Sequence, residues 1–165
     1  MRGNLGAGLL FGAAAGAAGT TALNAVTYLD MVWRARPASD APQLSAERLA
    51  QQTGLTVPGQ GQERDNRLAG LGPLLGLATG VGLGAVTGAV LGGTRRVVPP
   101  AVLSAMLAGA AMAGSDVPMA LLGATDPSSW TPADWAADIV PHLAYGVATA
   151  AVLSALLYRR PSSRP

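Results

Sequence analysis

The chain has 165 residues, 50% hydrophobic and only 12% charged, with a formal net charge of +2. That is about half the charge of a soluble domain, and it excludes an ordinary water-soluble fold in favour of one integral membrane domain over residues 1–165. With no cysteine, disulfides and thiolate metal sites are excluded, and the eleven basic residues, all arginine, are spread over loops and tails rather than gathered on a nucleic-acid-binding face.

The first apolar stretch runs from about Leu5 to Val32. Arg2, the apolar run and Ala13-Ala14-Ala15 imitate a signal peptide. The apolar stretch continues to about Val26 without a polar cleavage region, so a retained span is expected. It carries glycines at Gly8, Gly12 and Gly16, and the same spacing continues as Thr20 and Asn24. A polar connection follows over residues 34–67, punctuated by Pro37, Pro42 and Pro58. Within it, Ser45 to Thr53 reads as a short helix with Ser45 as cap and Gly54 as terminator, and Gly59 to Asn66 reads as irregular.

The second span, about Leu68 to Gly93, has glycine at every fourth position: Gly72, Gly76, Gly80, Gly84, Gly88 and Gly92. In water each glycine would cost a helix roughly 1 kcal/mol relative to alanine. In hydrocarbon an unbonded backbone is not an alternative, and a stripe of small residues lets helices approach backbone to backbone. Two such stripes in one chain predict glycine-zipper packing of the first two spans, with a homo-oligomer or a membrane-protein partner as the alternative occupant. The third span, about Val98 to Gly123, opens on Pro99 and Pro100, which suit a first helical turn. The fourth runs from about Trp135 to Tyr158, where Thr131, Pro132 and Asp134 form an N-terminal signal. The fold expected is an all-α, four-transmembrane-helix antiparallel bundle, with Tyr28, Trp33, Trp130, Trp135 and Tyr158 at the bilayer interfaces.

Four antiparallel spans put both termini on one side, with Arg2, Arg95, Arg96, Arg159, Arg160 and Arg164 and no acid. The other side has Arg34, Arg36, Arg48, Arg64, Arg67 and all the acidic residues. The excess of arginine and the compact Thr94–Arg96 turn place the termini in the cytoplasm. The lysine-free, Ala/Gly/Arg-rich composition suggests a GC-rich bacterial genome, hence the bacterial inner membrane.

Polar residues cluster at one depth. Asn24 in the first span, Asp116 in the third and His142 in the fourth all count to roughly 10 Å below the non-terminal face. Asp138, His142, Tyr145 and Thr149 follow at helical spacing, with Pro141 among them. These positions predict a polar pocket between spans one, three and four, built from Asn24, Asp116, Asp138, His142 and Tyr145. Polar groups inside a bilayer mark either a satisfied network that locks helix register or a functional site. Enzymatic readings are weaker. Ser115 and His142 resemble a serine-protease dyad, but no oxyanion loop accompanies them. Asp30 and Asp116 resemble paired intramembrane aspartates, but Asp30 lies near the interface. One histidine and no cysteine leave too few ligands for haem or a metal, so no cofactor and no catalytic activity are expected.

The leading expectation is a structural or accessory membrane protein. The alternative is a proton- or ion-coupled carrier, or a pH-responsive protein, using the polar pocket. Asp116-Val117-Pro118-Met119, Leu122-Gly123, Trp130 to Asp134, Pro141-His142 and Tyr158-Arg159-Arg160 resemble the YagU-like family of small bacterial inner-membrane proteins. Tyr28-Leu29-Asp30-Met31 with Arg34 to Pro37 resembles actinobacterial membrane proteins of this size. The resemblance implies a multi-pass location and a link to acid tolerance, with Pro118 and His142 as the positions carried over.

Overall fold

The computed structural model describes residues 4–94 and 96–158. Five α-helices follow in order: α1 (Leu5–Arg34), α2 (Ala41–Gln52), α3 (Gln62–Thr94), α4 (Pro100–Leu121) and α5 (Pro132–Leu157). All but α2 are long and apolar enough to cross a bilayer. Each of those four also exposes large apolar side chains, among them Leu10, Val86, Met106 and Val147. Such a belt is unsuited to water and suits lipid, so the chain is a helical membrane protein.

The four long helices form a ring. α1 packs most extensively on α3 and on α5, α5 packs on α4, and α4 closes more lightly on α3. Tyr145, Thr149 and Leu153 of α5 are fully buried, with Ala15, Leu103 and Leu107 beside them in the core. The turn between α3 and α4 meets the end of α5, where the Tyr158 hydroxyl donates to the Arg96 carbonyl at 2.7 Å. Gly92 lies against Asn4 and Gly8 at this same end. At the opposite end Asp30 accepts from Arg34 and Arg36, at 2.7 and 2.6 Å. Arg2, Arg95, Arg159, Arg160 and Arg164, which contribute to the expected orientation, lie outside the described residues.

The helix ends follow local chemistry. Thr131 and Asp134 form a reciprocal capping box at the start of α5, as their spacing predicts, and Pro132 occupies the first turn. At the end of α4, Gly123 has φ +68° and Ala124 N–H donates back to the Met119 carbonyl. This satisfies a carbonyl that the helix alone would leave open. Two expectations are corrected. The short helix starts at Ala41 rather than Ser45, because Pro42 fits its first turn, and Ser45 instead donates to the Ala41 carbonyl at 2.7 Å. Gly54, at φ +74°, does follow its end. Residues 62–66, expected to be irregular, already belong to α3. Glu63 and Asp65 suit the positive end of a helix, and Glu63–Arg67 and Gln62–Asn66 pair one turn apart.

Candidate functional site: a polar cluster between α4 and α5

Helical spacing sets Asp138 and His142 one turn apart on α5, and Ser115 and Asp116 face them from α4. His142 Nδ1 lies 2.8 Å from the Asp138 carbonyl and 3.3 Å from Asp138 Oδ1. A carbonyl only accepts, so Nδ1 carries a hydrogen. His142 Nε2 lies 3.3 Å from Ser115 Oγ, which is itself 3.1 Å from Asp116 Oδ1. A chain of polar atoms thus runs Asp138–His142–Ser115–Asp116 and crosses from one helix to the other. The His142 and Asp138 side chains are only 12% and 19% exposed. Pro118 and Pro141 lie within a turn of the cluster and withhold the amide donors that the Gly114 and Ala137 carbonyls would otherwise take.

This arrangement differs from a primed serine nucleophile. Ser115 has one hydroxyl hydrogen and four acceptors around it. The Ala111 and Met112 carbonyls, at 3.1 and 3.0 Å, are nearer than the imidazole. Helical amides are engaged in their own ladder and do not offer an oxyanion site. Among the described residues no group of three His, Asp or Glu side chains is placed to hold a metal.

The structure brings together Asp116, Asp138 and His142, and it adds Ser115. It does not bring Asn24 to them. Asn24 is exposed, and α1 sits diagonally across the ring from α4. Tyr145 is also separate: it is 1% exposed and its hydroxyl donates to the Gly80 carbonyl of α3 at 2.6 Å. Two buried oxygens, Asp138 Oδ2 and Thr149 Oγ1, have no hydrogen-bond partner among the described residues.

The glycines divide by neighbour. A Cβ on Gly84 would stand 2.6 Å from Gly16 Cα, and one on Gly88 would stand 2.6 Å from Gly12 Cα. Gly80 faces Thr20 and Tyr145, and Gly92 faces Gly8. Gly72 instead faces Pro42 and Gln43 of α2, and Gly76 has nothing within 4 Å. Sequence reasoning missed two further close approaches. Gly19 meets Thr149 and Tyr145, and Gly146 meets the Ser104 carbonyl and Ala108. The four-residue spacing of Ser104 and Ala108, and of Gly146 and Ala150, was the signal available for the second.

No family model, curated protein or solved structure matches the chain. The YagU-like resemblance therefore rests on its short motifs alone.

Proposed function

We propose that the chain is a small, non-catalytic membrane protein with a structural or accessory role, its α1 and α3 joined as a glycine zipper and both termini in the cytoplasm of a bacterium. One observation carries this reading: the polar side chains of α4 and α5 are turned on each other. Neither the groove between α2 and α3 nor the shallow hollow beside Trp33 reaches Asp116 or His142. A polar network shared by two helices fixes their register, as hydrogen bonds between spans do. Mild detergent extraction followed by size-exclusion chromatography with light scattering tests the role. A discrete assembly, with itself or with a co-purifying membrane protein, is expected. A lone monomer from native membranes under every extraction condition would overturn the accessory role.

A second reading has its own observation, the unbroken Asp138–His142–Ser115–Asp116 path. Histidine titrates nearest neutrality, and a relay of imidazole, hydroxyl and carboxylates can pass or sense a proton. Proteoliposomes report on it directly. A proton flux that falls in both Asp116→Asn and His142→Ala supports this reading, and no flux, or flux unchanged in both variants, removes it.

A further inference from the structure

α2 and the segment after it are held to α3 by the Arg64–Glu47 ion pair at 2.6 Å and at two further places. At one, Pro42 sits on Gly72. At the other, the segment after α2 returns to Arg67, whose Nη1 donates to the Pro58 carbonyl at 3.0 Å. Between these ties lies a groove of about 730 Å³. Its walls are Leu49, Leu55, Val57, Leu71, Leu74 and Leu75, and Gly70 forms part of the lining.

The groove is graded in polarity. Its outer end holds Asn66, Arg67 and Thr53, and its inner end runs along α3 into the apolar stretch that begins at Leu68. It therefore crosses the boundary between headgroup and hydrocarbon, where the surrounding medium is itself amphiphilic. Arg67 is suited to an anion at that boundary. Its guanidinium has five N–H donors, and its partners are the Pro58 carbonyl and the exposed Glu63 carboxylate, 2.6 Å away. An exposed ion pair of this kind is weak, and a phosphate can share or displace it.

We propose that this groove holds one phospholipid from the bilayer, with an acyl chain lying along Gly70–Leu74 and its phosphate at Arg67. The assignment rests on the membrane reading above. It also says which variant should block the site without harming the fold. A Cβ on Gly70 meets nothing within 4 Å, so Gly70→Leu adds bulk to the groove lining from an unhindered position. Gly76, equally open but outside the groove lining, supplies the matched control as Gly76→Leu.

The test is native mass spectrometry of the full chain in non-ionic detergent, titrated with palmitoyl-oleoyl phosphatidylglycerol. One retained lipid is expected for wild type and for Gly76→Leu, and none for Gly70→Leu. Arg67→Gln should weaken retention about tenfold, as loss of a charge-assisted contact does. Equal retention in Gly70→Leu and wild type, or no retained lipid in wild type, overturns the proposal. Retention unaffected by Arg67→Gln overturns the placement of the phosphate. The two readings fail separately: a chain that fractionates into water without detergent defeats the membrane reading, whereas one that needs detergent but holds no lipid defeats only the groove.

Discussion

The Tyr145 hydroxyl reaches from α5 to the backbone of α3 and donates to the Gly80 carbonyl at 2.6 Å. The contact depends on Gly80 lacking a side chain, since a Cβ there would stand 3.3 Å from Tyr145 Cε2 and closer still to the Thr20 hydroxyl. Tyrosine and glycine are thus fitted as a pair, one filling the centre of the ring and the other leaving room for it. Tyr145→Phe keeps the filling and removes only the hydrogen bond. The Gly80 carbonyl remains in its helical ladder, so the expected loss is about 0.5–1.5 kcal/mol. Tyr145→Ala also opens a cavity and is expected to lose about 3–5 kcal/mol. Equilibrium unfolding in mixed micelles separates the two, and equal losses would contradict the view that packing dominates this contact.

The six four-spaced glycines of α3, Gly72 to Gly92, should not respond alike. Gly84 stands against the Gly16 backbone, which cannot yield as a side-chain end can. Gly84→Leu should therefore force α1 from α3 and lose about 3 kcal/mol or more. Gly76→Leu meets open space and should stay within about 0.5 kcal/mol of wild type, the ordinary range for an unencumbered position. Melting temperatures of both variants in one detergent check the contrast. A similar fall in both would mean that the glycine spacing matters for helix formation in general rather than for one contact.

That contrast shows where the sequence was informative. The long apolar stretches gave α1, α4 and α5 to within about a turn, because hydrocarbon thickness and the cost of unbonded backbone leave few alternatives, whereas α3 starts at Gln62, well before its apolar stretch. The four-residue spacing of glycine, present in both stretches, pointed α3 at α1 but did not show how far along α3 that contact runs. Crossing helices touch over a limited length and then diverge. Beyond Gly80 the face of α3 leaves α1, so Gly76 opens outward and Gly72 meets α2. The polar cluster was legible in part for the same reason. Counting rises along the helix gave a common depth for Asn24, Asp116 and His142, but depth does not fix direction around the ring. Asp116 and His142 lie on adjacent helices, whereas Asn24 lies on the helix diagonal to α4. Ser115 was paired with His142 by depth, as a dyad-like set, but its place as a link between the imidazole and Asp116 requires knowing which faces of α4 and α5 meet.

Gly72 positions α2 rather than joining two spans. A Cβ there would stand 2.8 Å from the Pro42 carbonyl carbon and 2.9 Å from the Gln43 amide nitrogen. Gly72→Leu should lift the start of α2 while leaving the Gly8–Gly16 contacts with α3 in place. The Arg64–Glu47 ion pair, 2.6 Å long but partly exposed, is too weak to hold α2 alone. Limited proteolysis of membrane vesicles should then show faster cleavage over residues 35–61, with detergent-solubilised thermal stability close to wild type. Unchanged cleavage would show that α2 is held elsewhere, through Arg48 Nη1 and the Leu122 carbonyl at 2.6 Å.

The cluster between α4 and α5 makes a prediction about coupling rather than single losses. Ser115→Ala alone removes a hydroxyl that already has two carbonyl acceptors in its own helix. His142→Ala alone removes the imidazole that lies between Asp138 and Ser115. It also leaves half-buried Asp138 with less compensation, and the cost should be about 1–3 kcal/mol. If the 3.3 Å Ser115–His142 contact is a hydrogen bond that ties the helices together, the double variant should lose less than the sum of the singles. The expected coupling is about 0.6 kcal/mol, the average found for hydrogen bonds between membrane helices. Additive losses would place His142 with Asp138 alone, on one helix, and would break both the register lock and the proton relay at the same atom, Ser115 Oγ.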